Sequence, residues 1–216
     1  MQLKSYKHIV ILFSFTLATV AAYLLFLRSP YFDQFSNWAQ HNFVLFFVIL
    51  VVIKIAGIVW PPINGGLLTL GSIPVIGWWQ AYLADSVGSI IGSTYAYYIA
   101  KRWGLSFMRK IFDEETITQV QKVKIKQGKE FEAVFLARLF GGSIVEVVCY
   151  GAGLLNVRFS RYLPASILSH AVIGVPFYLF AGDIIAGRNF IINGTFAVIL
   201  VLLFMFARHR YVEITS

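Results

Sequence analysis

The chain has 216 residues, of which 58% are hydrophobic and only 13% are charged, and its mean hydropathy is +0.74. Soluble domains are usually about half apolar and about a quarter charged. This composition therefore excludes an ordinary soluble domain and predicts an integral membrane protein. In such a chain the formal charge of +8 indicates membrane topology and anionic lipid as a partner, with no nucleic acid.

Two apolar or amphipathic segments open the chain. The first, from His8 to Leu27, predicts a spanning helix that is retained as an anchor, because its apolar stretch is too long for the core of a signal peptide. The second, from Ser29 to Asn42, repeats aromatic residues at helical spacing among polar ones, which predicts a helix in the membrane interface. Residues 1–42 thus form a predicted N-terminal region.

The next apolar segments read as a broken hairpin followed by a spanning helix. Phe43 to Trp60 is apolar except for Lys54, and Leu67 to Trp79 is too short and interrupted for an ordinary span. Between them stand residues that cannot continue a helix, and we expect these to form the hairpin turn: Pro61, Pro62, Gly65 and Gly66. A spanning helix is then predicted over Gln80 to Ala100. It contains Asp85 and the helix-packing pair Gly88 and Gly92.

The same pattern returns after a polar middle segment, Lys101 to Glu130, which holds eight basic residues and alternates them with apolar ones. Phe131 to Leu155 is apolar, carries Arg138 and Glu146, and breaks at Gly141 and Gly142, which predicts a second hairpin. Two further spans are predicted, at Tyr162 to Ala181 and at Phe190 to Ala207.

Charge placement favours one topology. If both broken segments enter and leave on one side, most of the 18 Lys and Arg residues collect on a single face of the membrane, as the positive-inside rule requires. We therefore predict an all-α integral membrane protein with two opposed re-entrant hairpins in an inverted repeat, about four spanning helices and additional interfacial helices. The predicted core is residues 43–185, and residues 186–216 form a final helix and basic tail. Both termini would face the cytoplasm, in a bacterial inner membrane.

Four ionisable residues inside apolar segments are the candidate substrate-binding groups. Arg138 suits phosphate or carboxylate, and its alternative is a structural ion pair with Glu146 or Asp85. Glu146 could accept a proton or neutralise Arg138. Asp85 could instead satisfy a helix dipole, and Lys54 could extend its long side chain to the interface. His170 is expected to be a packing residue.

Several short motifs resemble the DedA superfamily, also called the VTT or SNARE-associated Golgi protein domain. They lie between Val59 and Asp183, and include the Pro61-Pro62 pair, Asp85 with Gly88 and Gly92, Arg138-Leu139, and Cys149-Tyr150. The resemblance implies opposed re-entrant hairpins and movement of phospholipids or polyprenyl-phosphate carriers between leaflets. Many bacterial members carry a second arginine shortly after the one that Arg138 matches, and this chain has none there.

The sequence therefore predicts a flippase or scramblase that binds anionic headgroups and moves them across the bilayer. Two alternatives stay open: an ion- or proton-coupled transporter of a small solute, and a non-transporting membrane scaffold. No nucleophile–base pair, metal-ligand spacing or phosphate loop stands out, so we expect no enzymatic activity, no cofactor and no metal. A homo-oligomer is possible.

Overall fold

A computed structural model describes residue 23 and residues 25–60, 65–140 and 145–187. Within these ranges all regular secondary structure is helical, which confirms the all-α class. Three predicted features lie outside or largely outside the described residues: the span at 190–207, most of the span at 8–27, and the turn residues Pro61, Pro62, Gly141 and Gly142.

The chain divides into two compact units, Met1–Leu45 and Phe46–Ser216. In the first unit, helix α1 spans Pro30–His41 and confirms the helix predicted there. It begins with proline, whose fixed φ and missing N–H suit the first helical position. Asp33 in its first turn and His41 in its last turn complement the helix dipole.

The second unit contains most of α2 and all of the later helices. In chain order the helices are α2 (Phe43–Val59), α3 (Gly65–Gly71), α4 (Ile73–Ile76), α5 (Trp78–Met108), α6 (Glu114–Lys122), α7 (Glu130–Phe140), α8 (Val145–Leu154) and α9 (Phe159–Ile185). α5 packs against α8 and α9, and α7 packs against α9. These contacts build the core that positions the candidate site.

Helix α5 is longer than the sequence predicted. The predicted span ended at Ala100, but the helix continues to Met108 through a kink at Gly104, where φ is +57° and ψ is −141°. Glycine adopts this backbone conformation without steric cost. The extension places Met108 fully in the core while Lys101 and Arg102 stay exposed, so burial of one face outweighs the polar composition of this stretch.

The polar middle segment then contains the short helix α6. The Asp113 side chain caps it by accepting a hydrogen bond of 2.7 Å from the Thr116 backbone N–H. The same bond holds the pKa of the Asp113 carboxyl below its ordinary value. α6 is amphipathic, with Ile117 and Val120 buried and its lysine and glutamines exposed.

Only α9, among the described residues, is long and apolar enough to cross a membrane as a single helix. α1 and α2 meet the same criteria only when they are counted together as one broken span. Shorter apolar helices occupy Gly65–Ile76 and Val145–Leu154. The four predicted spans and the inverted repeat therefore stay predictions, whereas the membrane-type, helical composition is confirmed.

The chain folds back on itself at both predicted breaks. A Cβ placed on Gly65 would lie 2.9 Å from the Lys54 Cα, so the start of α3 lies directly beside α2. At the second break, the Arg138 side chain of α7 reaches Cys149 of α8. In both places a basic residue contacts the residue eleven positions later in the chain: Lys54 lies beside Gly65, and Arg138 lies beside Cys149.

Buried tyrosines tie the helices together. The hydroxyl of Tyr97 donates to the Val157 carbonyl at 2.5 Å, that of Tyr150 to Val59 at 2.8 Å, and that of Tyr162 to Ser93 at 2.9 Å. The Tyr97 and Tyr162 rings also stack, with centroids 4.8 Å apart. Each ring contributes apolar area while its hydroxyl satisfies a backbone acceptor, so these residues fix the relative positions of α5, α8 and α9.

Candidate functional site

Asp85 is the centre of the first buried polar cluster, which we call the Asp85 cluster and define as Lys54, Thr69, Asp85, His170 and Tyr178. Its carboxylate is almost completely buried, with a relative side-chain exposure of 4%. The Lys54 Nζ lies 2.7 Å from Asp85 Oδ1, and the His170 Nε2 lies 3.2 Å from Oδ2. Four helices therefore meet at one carboxylate: α2, α3, α5 and α9.

Hydroxyl groups complete the Asp85 cluster. Thr69 Oγ1 donates to Asp85 Oδ1 at 2.7 Å, and the Tyr178 hydroxyl donates to Thr69 Oγ1 at 2.8 Å. Thr69 Oγ1 also lies 3.0 Å from the Gly66 carbonyl oxygen, and the nearer, charged Asp85 oxygen is the acceptor that orients the two hydroxyls toward the carboxylate. A buried carboxylate is costly unless it is paired and hydrogen-bonded, and both conditions hold here.

His170 contacts Asp85 differently from Lys54. Its buried Nε2 lies 3.2 Å from Asp85 Oδ2, and this carboxylate is its one polar contact within the described residues. The ring instead stacks on Tyr82, with centroids 5.9 Å apart and planes 8° from parallel. His170 is thus held by packing beside a carboxylate. The sequence predicted that His170 is a packing residue, which agrees with its stacking on Tyr82 but did not include its contact with Asp85.

Small residues make the approach of Lys54 possible. A Cβ on Gly88 would lie 2.6 Å from the Lys54 Cβ and 3.0 Å from the Val51 carbonyl oxygen, and one on Gly92 would lie 3.1 Å from the Ile58 Cβ. Both glycines therefore lie where α5 packs against α2. Lys54 itself has a side-chain exposure of 16%, so its ammonium group turns toward Asp85 and does not extend to an interface.

Arg138 is the centre of a second buried cluster, which we call the Arg138 cluster and define as Arg138, Cys149 and Tyr162. The residue is only 4% exposed, on the last turn of α7. Its Nη1 donates to Cys149 Sγ at 3.0 Å. Tyr162 of α9 lies near both Cys149 and Arg138, and its hydroxyl donates to the Ser93 carbonyl at 2.9 Å.

The Arg138 cluster is not electrically balanced within the described residues. Arg138 forms no ion pair there, and its buried Nε has no hydrogen-bond acceptor in that part of the chain. The Ser166 Oγ is buried and equally without a partner in the described ranges. Buried polar groups are almost always satisfied, so such exceptions indicate an additional ligand, water or ion.

The structural ion pair considered for Arg138 is not observed. Asp85 pairs with Lys54 and His170 instead. Glu146 lies in the first turn of α8, half-buried, and has no ion pair within the described residues. The four candidate charges thus fall into one compensated pair, Lys54 with Asp85, and two groups that contact no opposite charge among the described residues.

A cluster of three or more potential metal ligands does not occur among the residues that the structure describes. The groups of the Asp85 cluster are chemically suited to proton transfer along its hydroxyls to the carboxylate. The guanidinium group of the Arg138 cluster is chemically suited to binding an anion.

In a comparison with protein families, the sequence model of the VTT domain family matches residues 44–184 of this chain. The chain belongs to the VTT domain family. This establishes the DedA-type membrane class that the motifs resembled, and VTT domain proteins are membrane proteins that are not generally enzymes. Both buried clusters lie inside the VTT domain.

A curated relative of the VTT domain described here is an uncharacterized protein of Methanocaldococcus jannaschii, which is 32% identical over 106 residues. The alignment covers 47% of this chain and 64% of the relative, so the chain matches slightly less than two thirds of that protein's length. No solved structure matches the chain.

Proposed function

We propose that this VTT domain protein moves lipids with anionic headgroups between the two leaflets of a membrane, as a flippase or scramblase. The observation that carries the proposal is the unbalanced charge of Arg138. A guanidinium group that is 4% exposed and has no carboxylate partner in the described residues needs a negative ligand to offset its desolvation.

The comparison between the two fold-back points supports this assignment. Lys54 and Arg138 occupy corresponding places, each eleven residues before its neighbour on the returning helix. Lys54 meets Asp85 from the following long helix. The long helix near Arg138, α9, contributes Tyr162, and no carboxylate of the described residues forms an ion pair with Arg138. One basic residue is therefore neutralised internally, and the other is left for a substrate.

Phosphate is the headgroup chemistry that fits best. A guanidinium group binds phosphate oxygens through two parallel N–H groups. Within the described residues, only Nη1 of Arg138 donates a hydrogen bond to the protein, so its other nitrogens are left to bind phosphate. Acyl chains would stay in the bilayer while the headgroup passes, which makes phospholipids and polyprenyl phosphates the proposed substrates.

The proposed architecture is an inverted repeat of two re-entrant hairpins, in which the Asp85 and Arg138 clusters lie at corresponding depths. The two fold-back points and their basic residues support it. The positive-inside pattern of the sequence supports a cell membrane, with both termini on the cytoplasmic side. In this arrangement a headgroup reaches Arg138 only when the packing of α7, α8 and α9 opens.

Reconstitution tests the proposal directly. Purified protein in liposomes should accelerate the crossing of a fluorescent phosphatidylglycerol, measured by dithionite quenching, and Arg138→Gln should reduce the rate to that of protein-free vesicles. Arg102→Gln is the matched control, because it removes the same charge from an exposed position on α5 and should leave the rate unchanged. Equal rates for wild type and a correctly folded Arg138→Gln protein would contradict the proposal.

A proton-coupled transporter of a small anionic solute is the second candidate, favoured by the directed chain Tyr178–Thr69–Asp85. Such a chain can pass a proton to a buried carboxylate. The distinguishing measurement is accumulation of labelled phosphate in vesicles under an imposed proton gradient. Accumulation that Asp85→Asn abolishes would favour this candidate, and lipid crossing without a gradient would favour the first.

A further inference from the structure

A mostly apolar cavity of about 290 Å³ lies between α6, α7 and α8. Aliphatic side chains form most of its walls, including Val120 of α6, Val134 and Ala137 of α7, and Val148 of α8, and α6 adds the polar side chains of Thr116 and Gln119. Ala137 is exposed although it borders the cavity, so the cavity opens to the surface there. The neighbouring residue Arg138 is buried and donates to Cys149, so its guanidinium group belongs to the Arg138 cluster and does not line the cavity.

The segment that follows α6 gives this cavity a charged border. After Lys122 the backbone becomes extended, with φ −68° and ψ 121° at Val123. Side chains alternate along an extended chain: Val123 and Ile125 line the cavity, and Lys124 and Lys126 are exposed. Neither lysine has an ion pair in the described part of the chain.

The shape and the charge of this site indicate the same ligand. Its volume is close to the lower limit of roughly 300 Å³ that is typical of small-molecule pockets, which suits part of one alkyl chain. Lysines beside an apolar surface favour anionic lipid headgroups. We propose that the cavity binds one acyl chain of an anionic phospholipid, whose headgroup contacts Lys124 and Lys126.

This bound lipid would be a resident partner, and the proposal does not depend on lipid movement at Arg138. Its occupancy would anchor α6 and the extended segment to the membrane surface. Because the lipid would contact side chains of α6, α7 and α8, we expect it to stabilise their packing as well as their position.

Native mass spectrometry of the full-length protein tests this site. The protein is incubated in detergent with dioleoyl phosphatidylglycerol or with dioleoyl phosphatidylcholine, and the fraction that keeps one lipid is measured. Wild type should retain phosphatidylglycerol preferentially. The double variant Lys124→Gln/Lys126→Gln should lower retention by roughly fivefold for each lysine removed. Ala137→Trp, which fills the cavity from its open side, should abolish the one-lipid species.

Arg102→Gln/Lys110→Gln is the charge-matched control, because it also removes two exposed positive charges, and it should retain lipid like wild type. Three results would overturn the proposal: equal retention of the two lipids, equal losses in both double variants, or undiminished retention in a folded Ala137→Trp protein. The last result, together with a lowered Tm, would indicate that the apolar segment 190–207 of the chain occupies the cavity. Failure of this test leaves translocation through Arg138 unaffected, because none of these variants alters the Arg138 cluster.

Discussion

Lys54 and Asp85 form a buried ion pair, with 2.7 Å between Nζ and Oδ1, across the contact of α2 with α5. Thirty-one positions separate the two residues in the sequence, and the pair links the segment before the first break to the long helix after it. Thr69, which lies between them in the chain, donates to the same carboxylate oxygen. The pair therefore joins α2 to α5, and it engages the Asp85 carboxylate that the sequence had offered as a partner for Arg138.

Removing one partner of this pair should destabilise the protein strongly. Asp85→Leu leaves the Lys54 ammonium group without a counter-charge, and breaking a buried pair in this way costs about 3–5 kcal/mol. The double variant Lys54→Met/Asp85→Leu removes both charges and should lose much less than the two single variants together. Unfolding free energies in one detergent form the double-mutant cycle, and additive losses would show that the two residues are not coupled.

Gly88→Ala should lower stability by about 1–3 kcal/mol, which is the usual cost of overpacking a close contact. The added methyl group would lie 2.6 Å from the Lys54 Cβ, so α5 or α2 must shift. Gly92→Ala is the matched comparison on the same helix face, with its nearest contact at 3.1 Å, and should cost less. The measurement is Tm in detergent. A larger loss for Gly92→Ala would mean that the contact at Lys54 yields more easily than the structure indicates.

Tyr178→Phe should cost about 1 kcal/mol, the usual net contribution of one hydrogen bond. It removes the donor to Thr69 Oγ1 and leaves the ring packed against Tyr82. Tyr95→Phe is the control, because the Tyr95 side chain is 59% exposed and should be neutral. Unfolding free energies measured in one detergent compare the two. Equal small changes would show that the hydroxyl chain contributes nothing to stability.

Cys149 provides an intrinsic reporter of the Arg138 site, because it is the only cysteine in the chain and contacts the guanidinium group. Its side chain is completely buried, so a membrane-permeant maleimide should react only when the site opens. In proteoliposomes we expect labelling on the same timescale as headgroup crossing, with Cys149→Ser as the unlabelled control. A thiol that stays unmodified while many headgroups cross would place the translocation path elsewhere.

The helices and their breaks followed largely from local sequence signals. Apolar runs predicted most of α2, α5 and α9, since burial and membrane insertion depend on composition over a window of residues. The end of α5 was wrong by eight residues because Met108 is buried by tertiary contact, although the segment around it is polar. The local pattern does not show which face of a polar segment packs against a core.

The sequence by itself determined that this is a helical membrane protein. It also identified Lys54, Asp85, Arg138 and Glu146 as unusual charges, because burying an ionisable side chain in an apolar segment costs free energy in any fold. Only the tertiary structure decided which charges meet. Lys54 and His170 come to Asp85 from 31 and 85 positions away, and Arg138 meets a thiol instead of Glu146. Ion pairing falls off with distance in space, and packing of the helices sets those distances.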